Sequence, residues 1–534
     1  MNDIIQKFLF IILFFAVFTS CKKTENGDIV ISKINVVDVK NGLIIKEQDV
    51  IINGNRIVKI IPHNQVKLES STFIDGTNRF LIPGLWDMHA HIRSYSSVDI
   101  LPMFIMHGVT GIRDLGITNY ELIKYWKSQI EKKAIIGPRI ISSGTIIEGS
   151  GPSFPSSVVI NKLEDVERCL DSLIAKNIQV VKLFHTVPSD VFKDIIRYSK
   201  EKGMVTSGHI PNDMNQIDAS NAGLNSIEHL WGISNTLSTY DKFYVLDEEI
   251  KNLAETLIEN GTFQTPTLVN MESYAKLGQE LETNPNLELT PKYFIAWWAN
   301  INEKFQQNFA EEDLLRYKNN FEFNVKVNAK LHELGVKILA GTDVPNPYIV
   351  TGMSLHNELE HFINSGMSTA DALKTATLNP AQYFNRSSEL GLIDENYIAD
   401  LVVLDANPLE NISNTQRIYA VIQNGRLFTH KMLQDLRSSQ LDYLAEFSED
   451  DFDQFIYMDV RRNGVESVRK KYANIDETRI KYKIGKHHLI RLSNALKEGL
   501  QLEEAIKILE WNLELFPEDK ITKELLTELK SYKN

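Results

Sequence analysis

The chain has 534 residues, 43% of them hydrophobic, with a formal net charge of −13 and two cysteines. That length and apolar content suit one large core plus further domains and exclude a disordered chain or a polytopic membrane protein. The acidic balance argues against a nucleic-acid partner and points to a small-molecule one, and two cysteines are too few for a disulfide framework.

In chain order, the N-terminus carries Lys7, an unbroken apolar run from Phe8 to Phe18, then Thr19, Ser20 and Cys21. The run is shorter than the ~20 residues a spanning helix needs and has the form of an export signal covering residues 1–20. Phe18-Thr19-Ser20-Cys21 resembles a bacterial lipoprotein box. The resemblance implies cleavage before Cys21, a lipid anchor on it as the only membrane attachment, and an exported lipoprotein of the bacterial cell envelope. Cys169 falls at helical spacing with Leu170 and Leu173 and reads as a small core residue.

Residues 28–75 read as short strands at 29–31, 34–37, 50–52 and 57–61, with turns at Asn41-Gly42 and Asn53-Gly54-Asn55. The same character returns at 401–404 and 418–422, ahead of Asn424-Gly425-Arg426. The flanks 21–80 and 398–430 are therefore expected to form one small β-sandwich domain. Between them, in 81–397, apolar runs alternate with helical patterns. The expected strands are 85–91, 109–113, 139–143, 179–184, 204–209, 225–229, 263–268 and 337–342. Eight such units over roughly 300 residues match an α/β fold of the (β/α)8 TIM-barrel type. A helical insertion, 270–313, follows the seventh strand and is expected to cover the site. Residues 431–534 are charged and helical, and 489–517 resembles one tetratricopeptide-like (TPR-like) helical pair. A single such pair needs a neighbour, so this C-terminal extension is expected to pack on its own chain, on a protein partner or on a second copy.

The chemistry is read at strand ends, where a barrel gathers its reactive groups. His89 and His91, one residue apart on a strand, point to the same face, and neutral imidazole is the commonest metal ligand. The other strand ends supply Lys182, His209, His229 and Asp343. Lys182 lies between Val180, Val181, Leu183 and Phe184, where an unpaired ammonium is costly. Taken singly, His209 and His229 fit satisfied core histidines and Asp343 a turn cap; their joint placement points to metal. His185, Trp231 and Tyr348 stand near strand ends as candidate substrate contacts.

This set, in this order, resembles the amidohydrolase superfamily over residues 28–430. Val181-Lys182-Leu183, Gly208-His209-Ile210-Pro211 and Ser226-Ile227-Glu228-His229-Leu230 are similar to its imidazolonepropionase-like and prolidase-like members. The resemblance implies two divalent metal ions, zinc being the first expectation. His89, His91 and Asp343 would hold one, His209 and His229 the other, and a carboxylated Lys182 would bridge them. It further implies hydrolysis of an amide, lactam or peptide-like C–N bond through a metal-bridged hydroxide, with Asp343 as catalytic acid and base.

Two departures from the prolidase-like pattern point away from a dipeptidase. The loop Glu148-Gly149-Ser150-Gly151-Pro152-Ser153 holds no histidine, and Leu230-Trp231-Gly232 stands where a tyrosine is usual. The alternatives are a mononuclear imidazolonepropionase- or deaminase-type enzyme and a non-catalytic envelope scaffold. Lys182 weighs against the first, and the complete ligand set against the second.

Overall fold

The computed structural model describes residues 23–92, 97–116, 120–154, 157–278, 285–445, 460, 464–471, 489–490, 492–493, 496–497 and 501–531. The export signal, Cys21 and parts of the 489–517 pair lie outside the described residues.

The N-terminal flank forms β1 (Thr24–Asp38), β2 (Leu43–Asn53), β3 (Arg56–Pro62), β4 (Lys67–Asp75) and β5 (Phe80–Pro83). The central region forms β6 (Leu85–Ala90), β7 (Val109–Asp114), β8 (Arg139–Ser142), β9 (Ile146–Glu148), β10 (Val158–Val159), β11 (Val180–Leu183), β12 (Val205–Gly208), β13 (Ser226–Glu228) and β14 (Phe263–Thr265). The C-terminal flank adds β15 (Leu401–Leu404), β16 (Ile418–Gln423) and β17 (Arg426–Phe428).

Both flanks join one eight-stranded sheet in the order β17-β16-β15-β5-β1-β2-β3, with β4 also paired to β1. The join is β5 against β15, antiparallel, with Leu81 opposite Val403 and Pro83 opposite Leu401. The flank sheet therefore extends past residue 80, through Pro83. The runs 29–31 and 34–37, expected as two strands, are one strand with an irregularity between them. Lys33 there takes a φ of 58° and the register with β2 shifts. Inward residues such as Ile31, Val36, Val50, Ile52, Leu401 and Ile422 form a core of their own.

The central strands make two parallel sheets, β6-β7-β8 and β10-β9-β11-β12-β13-β14, alternating with helices as a TIM-barrel-like domain requires. The strands β6, β7, β11, β13 and β14 are buried on both faces, as the strands of a covered parallel sheet are. The third expected strand is β8, and an additional strand, β9, follows it beyond Gly144, which has a φ of 71°.

The eighth expected strand, 337–342, is not a ladder strand. It survives as two parallel bridges, Gln264 with Ile338 and Ala90 with Val344. Its backbone still bonds to both neighbours, Leu339 N–H donating to Gln264 O of β14 (2.8 Å), the Met88 N–H of β6 to Ala340 O (2.8 Å) and Asp343 N–H to His89 O (2.7 Å), but Ala340 N–H turns away to Thr375 O (3.0 Å). Gly341 is required here, because a Cβ would stand 2.8 Å from the His89 backbone nitrogen and from Thr265 Cγ2. The segment is pressed between β6 and β14 too tightly and irregularly to repeat as a strand.

The insertion is helical as expected, with helices Leu268–Lys276 and Lys292–Asn308. Cys169 lies in the helix Val166–Ala175, packed against the main core, and burial raises its thiol to about 11, which leaves it no thiolate to act with. At the C-terminus the chain continues as a helix beyond Phe516-Pro517. The helix Leu502–Leu515 packs against a further helix, Lys520–Ser531, and Asn512 Nδ2 donates to Thr522 Oγ1 at 2.7 Å across the turn. These helices share a separate apolar cluster with Val460, Val465, Val468, Leu489 and Leu496.

Candidate metal centre

Asp343 is the hub. Its Oδ1 stands 3.4 Å from His89 Nε2 and 3.1 Å from His91 Nε2, and its Oδ2 3.7 Å from His229 Nε2. One ligand atom from each of His89, His91 and Asp343 lies within 4.8 Å of the others, a grouping able to hold a cation. The His209 ring lies 5.1 Å from that of His229. Lys182, on β11 beside Ser207 of β12, is buried and close enough to His89, His209 and His229 to bias their protonation.

Each imidazole is oriented from behind. His89 Nδ1 meets Glu228 Oε2 at 2.7 Å, His229 Nδ1 meets Thr267 Oγ1 at 2.6 Å, His91 Nδ1 faces Gly116 O at 3.4 Å, and His209 Nδ1 faces His185 Nδ1 at 3.5 Å. With the proton on Nδ1, every Nε2 is left as a lone pair, the tautomer a metal ligand needs. What remains unpartnered fits such a group: among the described residues, His89 Nε2, His209 Nε2 and Lys182 Nζ are buried with no hydrogen-bond partner. Such atoms are rare unless something satisfies them, and divalent cations suit this donor set.

The electrostatics agree. Burial drives His89 and His209 well below the ordinary range and His229 down to about 4, so all three are neutral near pH 7. Burial also lowers Lys182, to about 8, against the opposing pull of Glu228 and Asp343. Burial pushes Asp343 upward, but the neighbouring histidines outweigh it and hold the group as a carboxylate far below its usual value. Backbone strain gathers at the same place: His229, Leu230, Thr267 and Asp343, none of them glycine, have φ values of 58°, 51°, 50° and 61°.

Of the candidate substrate contacts, Trp231 stacks on His209 (4.4 Å between centroids, 7°) and on His185 (4.7 Å, 21°). Tyr348 packs instead against Trp298 and the apolar cluster of Ile100, Met103 and Phe294.

Residues that the sequence reading left without a role hold the site. Glu228 accepts from Arg113 Nη2 at 2.8 and 2.9 Å, from Ser207 Oγ at 2.6 Å and from Ser226 Oγ at 2.7 Å. Asp87 ties β6 to the broken eighth segment by accepting Thr342 Oγ1 at 2.6 Å and the His89 N–H at 3.1 Å, and burial raises it to about 7. Asn270 Nδ2 donates to Asp343 Oδ2 at 2.9 Å. Charged residues inside apolar strands, Arg113 in Val109–Asp114 and Glu228 in Ser226–Glu228, were the available signal.

Parallel sheets alternating with helices, with a histidine-rich cluster able to hold a metal ion at strand ends, fit the TIM-barrel-like class of enzyme domains. Residues 80–428 match the model of the amidohydrolase family, and the chain belongs to that family. It is thus an enzyme, a hydrolase of the class acting on carbon–nitrogen bonds. Among curated relatives, ochratoxinase of Aspergillus niger is 24% identical over 413 residues, covering 65% of this chain and 75% of its own. The 5'-deoxyadenosine deaminase of Methanococcus vannielii is 23% identical over 411 residues, covering 69% and 86%. Among solved structures, bottromycin amidohydrolase superposes with a TM-score of 0.62 at 21% identity, covering 78% of this chain and 90% of that one. A Xaa-Pro dipeptidase with methionine in its active site gives 0.58 at 21% identity, covering 75% and 99%. At these identities the solved structures speak for the fold alone.

Proposed function

We propose that the protein hydrolyses an amide, lactam or peptide-like C–N bond of a small molecule at a two-metal site. His89, His91 and Asp343 hold one divalent ion, zinc for preference, His209 and His229 hold the second, and carboxylated Lys182 lies between them. The observation that carries this reading is the set of buried ligand atoms without a hydrogen-bond partner among the described residues, His89 Nε2, His209 Nε2 and Lys182 Nζ, beside the cluster of His89, His91, His229 and Asp343.

A lysine near 8 is neutral in a useful fraction at physiological pH, and the neutral amine adds CO2 to give a carbamate anion and a proton. Metal ions in such a site supply a water of lowered pKa and polarise the scissile carbonyl. Asp343, an ionised carboxylate, takes the proton of the attacking water and hands it to the leaving nitrogen. Trp231 and His185 line the side next to His209 and present aromatic faces to a substrate. The closure of the central sheets into a complete barrel, a two-layer β-sandwich from 21–80 and 398–430, and a helical TPR-like region at 431–534 available to a partner are parts of the same proposal. So are a lipid anchor at Cys21 and residence in the cell envelope.

A second reading, a one-metal deaminase-type site, draws on the tight grouping of His89, His91 and Asp343 alone. Elemental analysis of the purified full chain, with a screen of dipeptides, N-acyl amino acids, lactams, esters and aminated purines, separates the cases. About two ions per chain with C–N hydrolysis is expected. About one ion with ring deamination favours the second reading, and a metal-free inert protein leaves the envelope scaffold.

A further inference from the structure

The helix Leu268–Lys276 begins immediately beyond β14, and its first turn touches the site twice. Thr267 Oγ1 meets His229 Nδ1 at 2.6 Å, and Asn270 Nδ2 donates to Asp343 Oδ2 at 2.9 Å. The two targets sit on different elements, one after β13 and one in the broken eighth segment. The turn is itself clamped from the far side by Glu358, in the helix Met353–Asn364. That carboxylate accepts the Leu268 N–H at 3.0 Å and the Val269 N–H at 2.7 Å. One turn later, Ser273 Oγ donates to Pro347 O and fastens the loop that follows Asp343.

Two features separate this arrangement from ordinary packing. Thr267 is β-branched yet held at a φ of 50°, a costly conformation that persists only where its surroundings over-determine it. Asn270 is buried, and its Oδ1 has no hydrogen-bond partner among the described residues. The amide must point Nδ2 at the carboxylate, since Oδ1 would repel it. An unsatisfied buried acceptor costs about 1–3 kcal/mol, so a residue present only for stability would not leave one. The histidines around Asp343 offer it Nε2 lone pairs in the metal-ready tautomer, whereas Asn270 donates whatever the tautomer.

We infer that the turn 267–270, clamped by Glu358, is the positioning element of the centre, and that Asn270 is the residue that fixes the orientation of the Asp343 carboxylate. The inference rests on the metal reading above. Asn270 acts through Asp343 and so is a positioning residue.

The test loads the full-length chain with Co2+, whose visible spectrum reports the ligand geometry, and measures affinity by competition with a chromophoric chelator. Asn270→Leu keeps the volume and removes the donor. It is expected to weaken Co2+ binding about 10–100-fold and to shift the visible bands, while the unfolding midpoint of the metal-free chain stays the same or rises. Glu358→Gln, whose bonds go to the Leu268 and Val269 N–H groups, is expected to move the same two readouts in the same direction, and it carries the test if Asn270→Leu does not fold. Wild-type affinity and bands in the variants overturn the positioning role and leave the metal reading standing. A wild-type chain that takes up no Co2+ overturns both.

Discussion

Arg113 and Glu228 form a fully buried ion pair across β7 and β13, with Arg113 Nη2 at 2.8 Å from one carboxylate oxygen and 2.9 Å from the other. Arg113 Nε is anchored in turn to Met88 O at 2.5 Å, and Glu228 passes the restraint to His89. The pair thus couples the interior of the domain to the orientation of a metal-site imidazole. Removing one partner leaves the other charge buried and uncompensated, at a cost of about 3–5 kcal/mol. Arg113→Met should lower the guanidinium midpoint of the metal-free chain accordingly, and adding Glu228→Gln should recover part of the loss. A double variant no more stable than Arg113→Met would contradict the pairing argument.

Asp343 is assigned both a ligand role and a proton-carrying role, and Asp343→Asn separates them. The amide oxygen still coordinates but moves no proton. Turnover should fall about 10²–10⁴-fold with most of the metal retained. Near-normal turnover would remove Asp343 from proton transfer.

Lys182→Ala deletes the group that the two-ion reading places between the metals. Metal content is expected to drop from about two ions per chain toward one, with short carboxylic acids restoring part of the activity. In the wild type, reconstitution in bicarbonate should outpace reconstitution in CO2-free buffer. Indifference to both would leave the lysine unmodified and favour the one-metal enzyme.

His361 and Glu272, 3.4 Å apart, join the helix Met353–Asn364 to Leu268–Lys276, the helix that begins at the positioning turn. Burial pushes Glu272 up, but the hydrogen bond and charge of His361, helped by Lys276, bring it down from 4.5 to about 2. Burial pulls His361 down, and Glu272 and Glu358 outweigh that to raise it above 6.5. The depressed carboxylate stabilises the fold above 4.5 and loses that contribution as pH falls through about 2. The raised histidine contributes fully below 6.5 and loses its contribution as pH rises past its elevated value. A double-mutant cycle with His361→Gln and Glu272→Gln should therefore give about 1 kcal/mol of coupling near pH 5.5, fading as pH rises past the raised value of the histidine. Coupling that does not change across that range would mean the contact is not ionic.

Much of the architecture was legible in the chain because it rests on local pattern. Apolar runs of strand length separated by helical periodicity placed β6, β7, β11, β12, β13 and β14 to within a residue or two at most ends, though the seventh was expected to run on to residue 268. Asn-Gly pairs marked turns at Gly42 and Gly54, both with positive φ. His89, His91, His209, His229 and Asp343 stood out as polar groups at the ends of those runs. What the chain alone left open depends on contacts between distant segments. Whether 337–342 forms a ladder strand was decided by Gly341 pressed against His89, by the Ala340 N–H turning to Thr375, and by Asp343 entering the left-handed region. Glu228, Arg113 and Asn270 were visible as letters but not as a framework, since each acquires its role from a partner more than 70 residues away. Periodicity is a short-range property and survives in one dimension. The orientation of an imidazole or a carboxylate is set by hydrogen bonds from whatever the fold brings behind it, and only the tertiary structure supplies those.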